Sequence, residues 1–210
     1  MTQPVCLVIG AGAGIGGHVA KRFAREGFHA CLARRSDSQG LARLVTEITH
    51  AGGAASVFTL NAIEENSIEA LIENIESRIG AIDVAVYKLR AQIGDRALAE
   101  TSLKIFEMGG RRLPCQTLNA EFAAKGVHIA HIVIDGAVDA PDTLGEMLGP
   151  APYQALRAHK GLDKDGLLPP TEIANPYYHL ASQHRSAWTF EIDRRAYSGL
   201  AWWNHAGLAL

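Results

Sequence analysis

The chain has 210 residues, 48% hydrophobic and 20% charged, with a formal net charge of −2. That length is enough to bury a substantial core. The charge balance gives no field for nucleic acid or an anionic membrane, and no apolar run approaches the roughly 20 residues of a membrane span.

Val5–Ile9 is an apolar run closed by glycines and predicts a first strand rather than a signal peptide. Ile15–Glu26 has Ile15, Val19 and Phe23 at helical spacing and stops at Gly27. Phe28–Ala33 predicts a second strand, Ser38–Ala51 a helix, Ala55–Leu60 a third strand and Glu64–Arg78 a helix. Ile82–Val86 predicts a fourth strand, followed by a helix at Leu98–Met108 that Gly109-Gly110 interrupts. Arg111–Ala124 predicts a helix with Pro114 in its first turn. Val127–Ile134 predicts another strand, Pro170–Ser182 a helix and Ala187–Ile192 a last strand. The segment at about 141–169 is a partly irregular excursion from a single domain over residues 1–210.

Strands alternating with helices predict an α/β fold, a three-layer doubly wound parallel sheet of the Rossmann type. Ligands of such sheets lie at the carboxyl ends of the strands. Here those ends are Gly10–Gly16, Arg34-Arg35, Asn61-Ala62, Tyr87–Gln92 and Asp135–Ala140. Cys6, Cys31 and Cys115 are odd in number and lack metal-ligand spacing, which predicts free thiols and a cytoplasmic location. His128 and His131, three apart on a strand, face opposite ways, so no metal pair is expected.

The strongest motif is "VIGAGAGIGGHVAKRF", a glycine turn between a strand and a helix. It lets backbone N–H groups approach a pyrophosphate at the positive helix end. In "LARRS", Arg34 and Arg35 follow the second strand, where an acidic residue would favour NAD and an arginine holds the 2′-phosphate of NADP.

With these features the chain resembles the short-chain dehydrogenase/reductase family. Gly10, Gly14 and Gly16 match its G-x-x-x-G-x-G turn. "GAIDVAVY" resembles its fourth strand, "KGVHIAHIVIDGAVDAP" its sixth strand and following loop, and "RSAWTFEIDRR" the closing strand of a bacterial branch. The resemblance implies NAD(P)-dependent oxidoreduction of an alcohol or carbonyl, NADP preferred, in a homodimer or homotetramer. It places Gly10, Gly12, Gly14, Ile15 and Gly16 at the pyrophosphate and Arg34 and Arg35 at the 2′-phosphate. Asn61, Ala62 and Val138 would line the adenine and nicotinamide ends.

The departures from the family pattern lie at the other end of the cofactor. Lys88-Leu89-Arg90 replaces Asn-Ala-Gly after the fourth strand, so Lys88 and Arg90 either intrude on the cofactor space or swing out of it. Ala140 stands where the family has a threonine near the nicotinamide. The family's catalytic Ser and Tyr-x-x-x-Lys have no counterpart, because the forty to fifty residues that carry them are missing between Gly109 and Gly110. Neither Lys125 nor the adjacent Tyr87-Lys88 replaces them. The catalytic residues are therefore unassigned, and a catalytically inactive relative serving as a nucleotide-binding or protein-interaction module is the alternative function. One central strand is expected to be missing, with rearranged pairing or a dimer contact in its place. The apolar tail "AWWNHAGLAL" predicts a core-pinned terminus or a subunit contact.

Overall fold

The computed structural model describes residues 3–36, 38–88 and 112–198. The predicted helix at 98–108, the Gly109-Gly110 junction, Arg90 and the tail at 201–210 lie outside the described residues.

The first half follows the sequence pattern closely. Strands β1 (Val5–Ile9), β2 (His29–Arg34), β3 (Ala54–Thr59) and β4 (Ile82–Tyr87) alternate with helices α1 (Ile15–Arg25), α2 (Ser38–His50) and α3 (Ser67–Arg78). The strands form a parallel sheet in the order β3-β2-β1-β4. All five residues of β1 are buried, as a strand covered on both faces requires. Its alternate residues serve opposite layers. Cys6 and Val8 join the cluster beneath α1 and α2, whereas Val5, Leu7 and Ile9 join Leu71 and Ile75 of α3. The β1–β4 register shifts between Val5 and Cys6, where the Asp83 carboxylate accepts the Val5 N–H at 2.8 Å.

The second half contains α4 (Arg112–Phe122), β5 (His131–Asp135), α5 (Pro150–Lys160), α6 (Pro170–Ala181) and β6 (Glu191–Arg195). A π-helical turn, Pro141–Gly145, precedes α5. β5 and β6 pair in parallel as a separate two-stranded sheet. Among the described residues β4 pairs only with β1 and β5 only with β6, so no central strand joins the two sheets. Among the described residues the sheet is divided in two rather than re-paired. A common core still links the halves. Ile134, Ile173 and Ala196 share a cluster with Val8, Phe23 and Val86. Helix α6 packs on α1 through Phe23 and Tyr178, whose rings meet edge to face at 5.6 Å.

Two strands begin four residues later than the sequence pattern predicts. The last strand begins at Glu191 rather than Ala187 because Arg185–Ala187 forms a 3-10 turn, with the His184 ring accepting the Ser186 N–H. β5 begins at His131, where its N–H reaches the Phe190 carbonyl at 2.7 Å. Just before it, the chains are held by side chains: His128 stacks on Trp188 at 4.8 Å and its Nε2 meets the Thr189 carbonyl at 2.8 Å. Helix α4 buries none of its residues, and Leu113 is 68% exposed.

Candidate dinucleotide-binding site

The loop after β1 is a tight glycine turn. The N–H groups of Gly10 and Ala11 both reach the Ala33 carbonyl, at 2.8 and 3.2 Å, which ties the turn to the end of β2. Gly10 has φ of +90°, a left-handed conformation that favours glycine. A Cβ on Gly16 would lie 2.6 Å from the Gly10 carbonyl oxygen, and one on Gly17 would lie 2.3 Å from that of Gly12. These two glycines thus let α1 start directly against the strand end. Gly17 was not singled out from the sequence, although "GIGGHV" contains it.

Gly12 and Gly14 are lined by side chains, with Gly14 itself buried. A Cβ on Gly12 would stand 3.2 Å from Arg34 Nη1. Arg34 ends β2, so pairing with β1 carries its guanidinium to the glycine turn. A Cβ on Gly14 would stand 3.4 Å from both Oγ1 and Cγ2 of Thr143 and 3.7 Å from the Cβ of Ala140. The loop after β5 therefore meets the helix end. Gly14 caps α1 with no side-chain hydrogen bond, and the first turn has no acidic residue. Uncapped N–H groups at a helix start attract an anion.

The other sequence-predicted positions are distributed around this centre. Ile15 is buried as the first residue of α1, and Arg35 is exposed just beyond β2. Asn61 follows β3, but its side-chain amide donates to Glu64 at 2.7 Å and its carbonyl accepts from Ser67 at 2.9 Å. Ala62 packs at the edge of the α3-side core. Val138 bridges to Leu168 and packs on the α1-side core. At the end of β4, Lys88 is half-buried, and its N–H continues the ladder to the Ile9 carbonyl at 2.9 Å. Tyr87 is 55% exposed, so it is less packed than expected of a strand-end tyrosine.

The loop from β5 to α5 contains a buried polar cluster that sequence reasoning missed. The Tyr153 hydroxyl donates to Asp139 at 2.5 Å, and Arg157 Nε lies 3.2 Å from the same carboxylate oxygen. Tyr153 and Arg157 share one face of α5 at i,i+4 spacing. Burial, and then the hydrogen bond to Asp139, pushes the Tyr153 phenol up to about 12. Such a phenol is held neutral and committed to Asp139, which is the opposite of an activated acid/base. The cluster instead ties α5 to the loop that carries Ala140 and Thr143.

A second polar group lies where β5 and β6 begin. Glu191 accepts from Arg112 Nε at 2.6 Å and meets His131 Nδ1 at 3.1 Å. These hydrogen bonds, His131 first, hold its carboxyl below the usual range. Among the described residues no group of three His, Cys, Asp or Glu is arranged to hold a metal. No helix among them is long and apolar enough to cross a membrane.

Known proteins resemble this chain in sequence and in fold. The short chain dehydrogenase family model matches residues 4–107. A 3beta-hydroxysteroid dehydrogenase of Eggerthella lenta is 31% identical over 80 residues, covering 38% of this chain and 31% of that protein. A fatty acyl-CoA reductase of Mycobacterium tuberculosis is 35% identical over 105 residues, covering 48% of this chain and 34% of that protein. The matched stretch thus spans about a third of these curated relatives. The structure of L-sorbose reductase from Gluconobacter frateurii, complexed with NADPH and L-sorbose, superposes with a TM-score of 0.74 at 15% identity. That superposition covers 95% of this chain and 98% of the reductase.

Proposed function

The chain belongs to the short-chain dehydrogenase/reductase family, and on that premise we propose that it is an NADP(H)-dependent oxidoreductase acting on an alcohol or carbonyl. The observation that carries this reading is the Arg34 guanidinium lying over Gly12 beside the uncapped start of α1. A cation stands there beside a helix end open to an anion, and a dinucleotide with a 2′-phosphate meets both. The residues present fit that group. Gly10, Gly12, Gly14, Ile15 and Gly16 take the pyrophosphate side, with Arg34 and Arg35 on the 2′-phosphate. Asn61 and Ala62 lie towards the adenine, and Val138 towards the nicotinamide. NADP fits better than NAD because β2 ends in Arg34 and no carboxylate follows it before Asp37.

When bound, the nicotinamide supplies or accepts the hydride of the reaction. The protein's own part is to hold the phosphates and to set the loop after β5 against the helix end, with the α5 cluster anchoring that loop. Support for a small-molecule substrate and a homodimer or homotetramer comes from the family. The exposed Leu113 and Leu118 on α4 offer apolar surface for such a contact. The free thiols Cys6 and Cys31 fit a cytoplasmic location.

A second reading, an inactive relative that binds nucleotide without turnover, is favoured by one observation. Tyr153 has a cation four residues later, but its phenol is locked to Asp139. The two readings separate in one assay on the 210-residue chain. Oxidation of NADPH with a panel of carbonyl compounds, above a control without protein, supports the oxidoreductase. Saturable NADPH binding with no turnover on any carbonyl supports the binding module.

A further inference from the structure

We propose that a cavity at the carboxyl end of β6 binds a small zwitterion with an apolar side chain, the chemistry of a free aliphatic or aromatic amino acid. This site stands apart from the NADP(H) reading above. The cavity measures about 240 Å³ and lies between the turn at Leu162–Lys164, the start of α6 and the residues that close β6. An apolar cavity of about 150 Å³ takes a benzene ring. This one therefore has room for a leucine or phenylalanine side chain together with its α-amino and carboxylate groups.

The floor of the cavity is core. Leu167, Leu168, Ile173 and Ala196 line it and are buried, and the last three belong to the cluster beneath α1. An apolar side chain seated on that floor leaves water, which favours binding. Tyr197, 91% exposed at the mouth, offers a ring to cover it.

The walls are held in place without a ligand. Asp165 has φ of +54° at the end of the Leu162–Lys164 turn, which sends the chain back towards the loop after β5. There the Leu168 N–H reaches the Ala137 carbonyl and the Asp139 N–H reaches the Leu168 carbonyl, each at 2.9 Å. From the opposite wall, the Ser198 N–H and hydroxyl both donate to the Asp165 carbonyl at 3.1 Å. The turn is thus clamped to the end of β6, and little ordering is left for the ligand to impose.

The rim carries the charges. Arg194, next to last in β6, and Asp165 both line the cavity. They are opposite in sign, yet the side chain of neither has an ion-pair or hydrogen-bond partner among the described residues. Glu172 adds a second carboxylate to the rim and accepts from Asn175 at 3.2 Å. A simple anion would leave Asp165 and Glu172 unmatched, and a simple cation would leave Arg194 unmatched. A zwitterion meets both, its carboxylate at the guanidinium and its ammonium at the carboxylates, each through charge-assisted hydrogen bonds.

Ligand-observed NMR on the 210-residue chain tests the site with L-leucine, L-phenylalanine, glycine, N-acetyl-L-leucine and L-leucinamide. At about pH 6.5, below the α-amino range, leucinamide keeps its ammonium. Leucine and phenylalanine should bind saturably with a Kd of about 1 mM or tighter. N-acetyl-leucine lacks the ammonium, leucinamide the carboxylate and glycine the side chain, and each should bind about ten-fold more weakly or worse. Arg194→Gln should weaken leucine about ten-fold and leave leucinamide within about two-fold. Asp165→Asn, in which asparagine tolerates the left-handed backbone, should weaken leucine several-fold and spare N-acetyl-leucine. Absence of saturable leucine and phenylalanine binding to the wild type overturns the proposal. So does glycine, leucinamide or N-acetyl-leucine binding as tightly as leucine, or an unchanged leucine affinity in both variants. The wild-type probes decide by themselves should either variant fail to fold. Titration with NADPH is scored separately, so loss of the NADP(H) reading leaves this site standing.

Discussion

Arg34 lies over Gly12, its Nη1 3.2 Å from where a Cβ on Gly12 would stand. The contact joins the end of β2 to the turn after β1, so the guanidinium adds a positive charge at the phosphate end. Replacing Arg34 by Gln should weaken NADPH about ten- to hundred-fold and leave NADH within about three-fold. Parallel titrations of the two nucleotides check this. Equal loss for both would show that Arg34 acts on the fold rather than on the 2′-phosphate.

The glycines of the turn should separate by role. A methyl on Gly16 meets backbone, 2.6 Å from the Gly10 oxygen and 2.9 Å from the Ala11 Cα. A methyl on Gly12 meets only the flexible end of Arg34. Gly16→Ala should therefore cost about 1–3 kcal/mol in urea unfolding, and Gly12→Ala less than about 1 kcal/mol. Gly12→Ala should still weaken NADPH, because Arg34 must move. Equal stability of the two variants would contradict this assignment.

Tyr153 should impose an alkaline limit on stability. Its folded pKa is raised, by burial first and by Asp139 second, from 10.0 to about 12. Such a group stabilises fully below pH 10, and its contribution is lost as pH rises from 10 through 12. Tyr153→Phe should be less stable at pH 8 by about 1–2 kcal/mol, and the gap should close as pH rises. A constant gap between pH 8 and pH 11 would show that folding does not raise the phenol's pKa, and so that the buried hydrogen bond to Asp139 is not made.

Glu191 works in the other direction. Hydrogen bonds from His131 and Arg112 lower its pKa, so its contribution is present above about pH 4.5, the ordinary glutamate value, and is lost as pH falls through the lower folded value. The group is a quarter exposed, which limits the effect to about 1 kcal/mol or less. Glu191→Gln should be slightly less stable than wild type at pH 6 and converge with it at acid pH. Divergence on acidification would reverse the sign and rule out the assignment.

The parts legible in the sequence were those set by local pattern. Apolar runs closed by glycines located β1 to β4, and the spacing of Ile15, Val19 and Phe23 located α1. The glycine turn and Arg34 lie on consecutive βαβ elements, so the pairing of β1 with β2 brings them together without further information. The loop after β5 was less legible. Thr143 reaches Gly14 across about 130 residues of chain, and only the π-helical turn turns its side chain that way. Tyr153 and Arg157 form a visible helical pair, but Asp139, their partner, lies on another element. The last strand was misplaced because Trp188 and Phe190 mimic a strand's alternation. A ladder begins only where β5 offers a partner, at Glu191.

On the reading proposed above, the phosphate end of this chain is a working NADP(H) site. Titration of the purified full chain with NADPH and with NADH, followed by nucleotide fluorescence, tests it most directly. Saturable NADPH binding in the micromolar range is expected, with NADH about ten-fold weaker or more. Absence of saturable binding, or an equal affinity for both nucleotides, would contradict it.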